Sequence, residues 1–126
     1  MRALAALLSL GRLVFGAAFI ARPKLLEEAW IGRQARLPGA QVLARAVGAR
    51  DLTLGLGALQ AVARHDGSAR PWLAAAAICD SVDFGATYAA GRRIPRRARN
   101  GVLAIASVSS LLSAAAATAS GSKPQA

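Results

Sequence analysis

The stretch ALAALLSLGRLVFGAAFIA, residues 3–21, decides the fold of this chain. Its apolar run is interrupted only by Ser9 and Arg12. As an α-helix rising about 1.5 Å per residue, it would be about 28 Å long, close to the ~30 Å hydrocarbon thickness of a bilayer. It lacks the alternation of apolar and polar residues that marks a half-buried strand. We therefore predict a retained membrane-spanning helix. The alternative is a cleaved signal peptide, whose apolar core Arg12 would interrupt.

Three more apolar stretches follow, and we predict that each is also a membrane-spanning helix. They cover about residues 40–63, 72–90 and 101–119. Four strands are too few to close a barrel in lipid, whereas a helix satisfies its own backbone hydrogen bonds there. The predicted fold is all-α, a four-transmembrane-helix bundle. It forms a single domain, residues 1–119, followed by a flexible C-terminal tail, residues 120–126.

The composition agrees with a membrane protein. Of the 126 residues, 55% are hydrophobic and only 17% are charged, and the mean hydropathy is +0.39. Soluble domains carry about 25% charged residues. Disorder is excluded because it requires low hydrophobicity. A disulfide scaffold is excluded because Cys79 is the only cysteine. A soluble, alanine-rich helical bundle remains the alternative fold.

A short amphipathic helix is predicted between the first and second long helices. Pro23 can open it at its first position. In residues 24–33 the apolar residues fall on one side, with Trp30 among them, and the charged residues fall mostly on the other. A helix of this kind lies flat in the membrane interface. The alternative is a surface helix of a soluble bundle.

The positive charges predict the orientation in the membrane. With four spans, the first and third loops share one side and carry nine Lys and Arg residues, against four on the other side. Because positive short loops stay cytoplasmic, we predict a multi-pass inner (plasma) membrane protein with loops 1 and 3 cytoplasmic and both termini outside. Five of the arginines lie in Arg92–Arg99, where we expect anionic lipid head groups to bind. No aromatic residues are interleaved there, so nucleic acid is not an expected partner.

Six ionisable side chains lie within the predicted spans, three of each sign. They are Arg12, Arg45, Arg50, Asp51, Asp80 and Asp83. One charge at the bilayer centre costs roughly 2.5–3.5 kcal/mol on insertion scales. Six unpaired charges would therefore cost more than the whole stability of a typical domain. We predict that these residues form a buried charge network.

Helical spacing predicts which residues meet in this network. Asp80, Asp83 and Thr87 share one helical face. Neighbouring carboxylates repel each other unless a cation lies between them or they share a proton. Arginine is the natural cation, because its planar guanidinium can hold a carboxylate by two hydrogen bonds. We expect Arg12 and Arg50 to neutralise the three aspartates.

Glycines one helical turn from these charges predict close packing of the helices in lipid. They are Gly16, Gly48 and Gly55. The deep set of charges still has two positive and three negative members. Either Arg45 reaches inward to balance it, or one aspartate is protonated. The network then either fixes the register of the helices or forms a ligand or proton site.

The fourth long helix carries serines among its alanines, which either hydrogen-bond to a neighbouring helix or act as small packing residues. They are Ser107, Ser109, Ser110 and Ser113. No catalytic pattern accompanies them. His65 is the only histidine, and Cys79 has no histidine near it in sequence, so we expect no zinc site and an inert thiol. We predict a protein that is not an enzyme and uses no cofactor or metal.

The run RAVGARDLTLGLG, residues 45–57, resembles a motif of small four-helix bacterial membrane proteins, the uncharacterised DUF4267 family, which are similar in appearance to DoxX-like proteins. The matching positions are Arg45, Gly48, Arg50, Asp51, Leu54 and Gly55. An aspartate in the following helix also recurs in that family, and Asp80 or Asp83 corresponds to it. The resemblance implies the four-helix architecture but no activity.

Two functions follow as expectations. The first is an accessory or structural membrane protein whose Arg/Asp network sets helix packing, with the lipid bilayer as its partner and a homo-oligomer as one arrangement. The alternative is a small proton- or ion-coupled transporter that uses the intramembrane aspartates.

Overall fold

The structure, a computed structural model, describes residues 2–64 and 68–121. Throughout these two segments the regular elements are helical, which confirms the all-α prediction. The five α-helices are α1 (Arg2–Ala21), α2 (Pro23–Ile31), α3 (Pro38–Arg64), α4 (Ala69–Ala90) and α5 (Arg96–Gly121). Short 3₁₀ turns, Gly32–Arg36 and Gly91–Arg93, follow α2 and α4. The four long helices contain the four predicted stretches.

Two of the long helices, α1 and α5, are long and apolar enough to cross a membrane. The other two, α3 and α4, are also long, at 27 and 22 residues, but they contain ionisable side chains that lower their hydropathy. The predicted four long helices are therefore present, but within the described residues two of them, and not four, are long and apolar enough to span a membrane.

The last helix begins earlier and ends later than predicted. It starts at Arg96, inside the arginine cluster, and not near Gly101. The backbone N–H of Arg99 donates to the carbonyl of Pro95 at 2.9 Å, which closes the first turn. Arginine is a good helix former, so the cluster can form the first turn of this helix. The helix continues to Gly121, past the predicted start of the tail at Ser120; residues 122–126 lie outside the described part, as do His65 and Asp66.

A glycine ends the short helix α2 and ties it to the start of α5. Gly32 has φ of +72°, a conformation that side chains disfavour. A Cβ atom there would lie 2.8 Å from Cγ of Pro95. The end of α2 therefore packs directly on the turn that precedes α5. On the surface, Arg36 Nε donates to Glu28 Oε1 at 2.8 Å.

The long helices pack as two pairs, α1 with α3 and α4 with α5, and α3 joins the pairs through α4. The interior is built from small residues, since eleven of the fifteen apolar residues that are buried within the described part of the chain are alanines. The predicted glycine contacts are present. A Cβ on Gly16 would lie 2.6 Å from the Gly48 carbonyl oxygen, and a Cβ on Gly55 would lie 2.8 Å from the Ser9 carbonyl oxygen. The backbones of α1 and α3 therefore touch.

Large apolar side chains lie mostly on the outside of all four long helices. Examples are Val14 at 72% exposed, Leu43 at 67%, Ile78 at 65% and Leu111 at 71%. Among the fully buried side chains of the residues whose burial is described, only Phe19 and Leu73 are large and apolar. Because water-soluble bundles bury their large apolar residues, this distribution is inverted.

Candidate functional site

Arg12 lies at the centre of the bundle and contacts three other long helices. Its Nη1 donates to Oδ1 of Asp51 on α3 at 3.2 Å. Its Nη2 forms an ion pair with Oδ2 of Asp80 on α4 and lies 3.4 Å from the carbonyl oxygen of Ala76. The same Nη2 lies 3.3 Å from Oγ of Ser109 on α5. One guanidinium thus connects α1 to every other long helix.

Arg50 forms the second half of the network. It holds Asp83 by two hydrogen bonds, from Nη1 to Oδ1 at 3.1 Å and from Nη2 to Oδ2 at 2.8 Å. Its Nε and Nη2 also donate to Oδ1 of Asp51, each at 3.2 Å. Asp51 therefore bridges the two arginines. The paired geometry on Asp83 is the arrangement that favours arginine over lysine.

The two halves differ in burial. The side chains of Arg12, Asp51 and Asp80 are 9%, 6% and 9% exposed, whereas those of Arg50 and Asp83 are 27% and 20% exposed. Each of the three aspartates forms an ion pair with at least one of the two arginines that the sequence proposed as their partners. Arg12 holds Asp51 and Asp80, and Arg50 holds Asp51 and Asp83.

Arg45 does not belong to the network. Its side chain is exposed, and within the described segments it forms no ion pair. At 3.6 residues per turn, the five steps from Arg45 to Arg50 rotate the helix by about 140° beyond a full turn. Arg45 therefore points to a different side of α3. Its predicted membership of the network is wrong for this reason, and of the two predicted ways to balance the charge the inward reach of Arg45 is not the one observed.

Thr87 shares the face of Asp80 and Asp83, as predicted, and meets a partner that the sequence did not indicate. It is 3% exposed, and its Oγ1 accepts a hydrogen bond from Nε1 of Trp30 at 3.2 Å. The Trp30 ring also meets Phe19 edge-on, with ring centroids 6.1 Å apart. The short helix α2 thus sends its tryptophan into the bundle. The only sequence signal was the position of Trp30 on the apolar side of α2.

A cleft of about 280 Å³ lies beside the network. It forms between α1 and α5, which contact each other much less than the two packed helix pairs do. Apolar residues of these helices form most of its walls, and Trp30 lies at one part of its lining. The residues of the network that line it are Arg12, Asp51, Asp80 and Asp83. The deepest charges of the bundle are therefore reachable from this cleft.

The serines of α5 play different parts. Ser109 contacts Arg12, and Ser110 donates to the carbonyl oxygen of Ala77 on α4 at 3.1 Å and pairs with Ser81 at 2.9 Å. Ser107 bonds within its own helix. Ser113 is fully buried, and its hydroxyl has no hydrogen-bond partner. The two predicted roles, bonding across helices and packing, are thus divided among the four.

In the parts of the chain that the structure describes, no group of three or more His, Cys, Asp or Glu side chains is arranged to hold a metal ion. The three aspartates converge, but guanidinium groups occupy the space between them. Cys79 is partly buried. No family model, curated protein or solved structure matches the chain. The geometry of the site is therefore the basis for assigning a function.

Proposed function

We propose that this chain is an integral membrane protein with an accessory or structural role, in which all four long helices cross the bilayer and the Arg/Asp network fixes their register. The observation that carries the proposal is the inverted distribution of side chains. Charged groups pair in the middle of the bundle, and large apolar side chains face outward.

The outward surface supports four spans and not two. On α4, which falls short of the hydropathy of a spanning helix, Ile78 and Val82 are 65% and 63% exposed. On α3, Val42 and Leu43 are 65% and 67% exposed. Large contiguous apolar surfaces are rare on soluble monomers. In lipid, by contrast, small residues form the helix contacts and large apolar residues face the acyl chains.

Ion pairing explains how α3 and α4 tolerate their charges. An isolated charge at mid-bilayer is costly, whereas one that faces the bundle interior and is paired is the usual arrangement. Asp51, Asp80 and Asp83 all face an arginine of the network. The three aspartates therefore hold helices together and need not be exposed to acyl chains.

The proposed orientation follows the charge bias of the loops. Loops 1 and 3 lie in the cytoplasm, both termini lie outside, and α2 sits at the cytoplasmic interface. The arginines at the start of α5 then lie at the cytoplasmic head groups, where anionic lipids attract them. Of the cluster, Arg92, Arg93, Arg96 and Arg97 are exposed.

Membrane fractionation tests the location. After expression, we expect the protein to sediment with membranes and to stay there through alkaline carbonate extraction. Release into the supernatant would reject the membrane assignment.

Protease-sensitive tags at the two ends test the orientation, and we expect both tags to be cleaved in intact spheroplasts. Protection of both tags from the protease would show the opposite orientation in the membrane.

A charge-swap series tests the role of the network. Arg50→Asp should abolish recovery of folded protein, because it places a third acidic group beside Asp51 and Asp83. A second change, Asp83→Arg, should restore recovery, since it returns a cation to the same place. Asp80→Arg is the matched control and should not restore it, because Asp80 pairs with Arg12. Rescue by both changes alike would show that the specific pairs do not matter.

A proton- or ion-coupled transporter is the second candidate, and the cleft that reaches three aspartates favours it. The variant Asp83→Asn distinguishes the structural role from the transport role, and Asp83 is chosen because it is the least buried of the three aspartates. A structural role predicts less folded protein. A transport role predicts normal amounts of folded protein and lost ion flux in reconstituted vesicles, measured with a pH-sensitive dye.

A further inference from the structure

We propose that the cleft between α1 and α5 binds a small apolar molecule that carries one cationic amine, with its ammonium group against Asp80 and its tail between the two helices. The proposal deepens the proposed function and rests on it, because the same network forms the base of the cleft. It assigns a class of ligand to that site.

The shape of the cleft suits a short alkyl chain. Its apolar lining residues come mainly from the two helices that flank it: Leu7, Leu8, Phe15, Val102, Ile105 and Ala106. Its volume of about 280 Å³ is near the lower end of the roughly 300–1,000 Å³ range of small-molecule pockets, which suits a short molecule such as an eight-carbon primary amine. Ligand pockets commonly combine apolar walls with a few polar groups in this way.

The charge of the site favours a cation. The ionisable side chains that line the cleft are one arginine and three aspartates, and Arg50 behind them adds a second positive charge. With all three aspartates ionised, the network carries one negative charge more than it has positive charges. Such an excess is costly in a site walled by apolar groups unless a proton on one aspartate or a bound cation compensates it. An ammonium ion supplies that cation, whereas a carboxylate would add repulsion.

Two carboxylate oxygens are free to receive the ammonium group. Arg12 binds Oδ2 of Asp80 and Oδ1 of Asp51, and no hydrogen bond from the described residues reaches the other oxygen of either carboxylate. Both side chains are more than nine-tenths buried and line the cleft. An ammonium group has three N–H donors, enough to reach both.

The cleft also has a route from the lipid. Leu7 and Ile105, one on each wall, are 67% and 64% exposed, and Phe15 is 40% exposed. Because α1 and α5 make few contacts with each other, an apolar molecule dissolved in the bilayer can enter sideways. Entry from lipid suits an amphiphile better than a small hydrated ion.

Thermal unfolding of the full chain in a neutral maltoside detergent measures binding. The probe is n-octylammonium, compared with n-octanol and octanoate, which have the same tail but a neutral or negative head. A ligand that binds the folded state raises the unfolding midpoint with its concentration. We expect n-octylammonium to bind at least about tenfold more tightly than n-octanol, and octanoate to give no rise. Equal effects of the ammonium and the alcohol would overturn the proposal.

Gly11→Leu blocks the cleft without touching the network. Gly11 lines the cleft, and a Cβ added there meets nothing within 4 Å. Gly85→Leu is the matched control, since Gly85 is equally open but does not line the cleft. We expect Gly11→Leu to weaken n-octylammonium binding at least about tenfold and Gly85→Leu to leave it unchanged. Unchanged binding to Gly11→Leu would overturn the proposal, even if Asp80→Asn fails to fold.

The same variants separate this proposal from the proposed function. Gly11→Leu should remain in membranes through carbonate extraction, and without ligand its unfolding midpoint should match that of Gly85→Leu, since both replace an open helical glycine by the same better helix former. Loss of binding with that behaviour supports the ligand site. Normal membrane location and stability with no ammonium binding by the unaltered chain would reject the ligand site alone. Extraction of the unaltered chain by carbonate would reject the membrane role and not the binding measured in detergent.

Discussion

The two edges of α1 use the same residue type in opposite ways. On the edge that faces α3, a Cβ on Gly16 would lie 2.6 Å from the Gly48 carbonyl oxygen and 2.8 Å from the backbone nitrogen of Leu52. On the edge that faces α5, a Cβ on Gly11 meets nothing within 4 Å. One glycine lets two backbones touch, and the other lines an open cleft. The meaning of a small residue therefore depends on what lies opposite it.

Arg12 joins these two edges. It is 8% exposed and lies between Gly11 and Gly16 in sequence. Towards α3 and α4 it forms ion pairs, and towards α5 it has a single contact with the Ser109 hydroxyl, at 3.3 Å. The packed edge is thus held by backbone contact and charge. The open edge is held near the network by one hydrogen bond, which leaves room for the cleft.

The largest expected effect comes from Arg12→Ala, which affects both edges together. It leaves Asp51 and Asp80 without their buried cation on α1. Removing one member of a buried pair costs about 3–5 kcal/mol, which is a large part of the stability of a small domain. Denaturant titration of the purified protein in detergent measures the change. Arg45→Ala is the control and should change the free energy of unfolding little, because Arg45 is exposed. Equal losses for the two variants would contradict the assigned network.

The glycines of the two edges should respond in opposite directions. Gly48→Ala places a Cβ 2.7 Å from the Gly16 carbonyl oxygen, so the backbones must separate. Overpacking of this kind costs about 1–3 kcal/mol. Gly11→Ala should instead stabilise the protein by about 0.5–1 kcal/mol, since alanine is the better helix former and the space is open. The same titration measures both. A loss for Gly11→Ala as large as that for Gly48→Ala would erase the distinction between the edges.

Periodicity and charge made much of the fold and the pairing predictable. Apolar runs of helix length mark all four long helices, and the structure places each run within one helix. The pairing of Arg12 and Arg50 with the aspartates was predicted from the free-energy cost of an unpaired charge within a membrane span. The close packing at Gly16 and Gly48 was predicted from their position one helical turn from charged residues. These inferences use local sequence and one strong energy term.

The remaining features depend on how the helices are rotated and placed. Arg45 was assigned to the network because it lies within a predicted span and would balance the charge of the aspartates, although its position along α3 puts it on another side. The cleft lies where α1 and α5 make few contacts with each other. Nothing in the residues of either helix predicts that they stay apart there. The bond from Trp30 to Thr87 joins residues far apart in the chain. Such features are properties of the assembled bundle.

A smaller effect is expected where α2 meets the bundle, at the border of the open edge. Thr87→Val removes the acceptor for Trp30 Nε1 and keeps the shape of the side chain. We expect a loss of about 1 kcal/mol, the usual net value of one hydrogen bond. Thr53→Val is the matched control, because the Thr53 hydroxyl is exposed and bonds only to the Ala49 carbonyl of its own helix. If the two variants lose the same stability, Trp30 does not anchor α2 through Thr87.

The smallest effect separates two serines of α5, on the side where it packs against α4. Ser110→Ala removes the bonds to the Ala77 carbonyl and to Ser81, and should cost about 0.5–1.5 kcal/mol. Ser113→Ala removes a fully buried hydroxyl that has no partner. Because an unpaired polar group is costly to bury, this variant should be as stable as the unaltered chain or slightly more stable. Denaturant titration of the three proteins side by side resolves the order. A clear loss for Ser113→Ala would mean that α5 uses its buried serines alike, and that the difference between the helix edges does not extend to this pair.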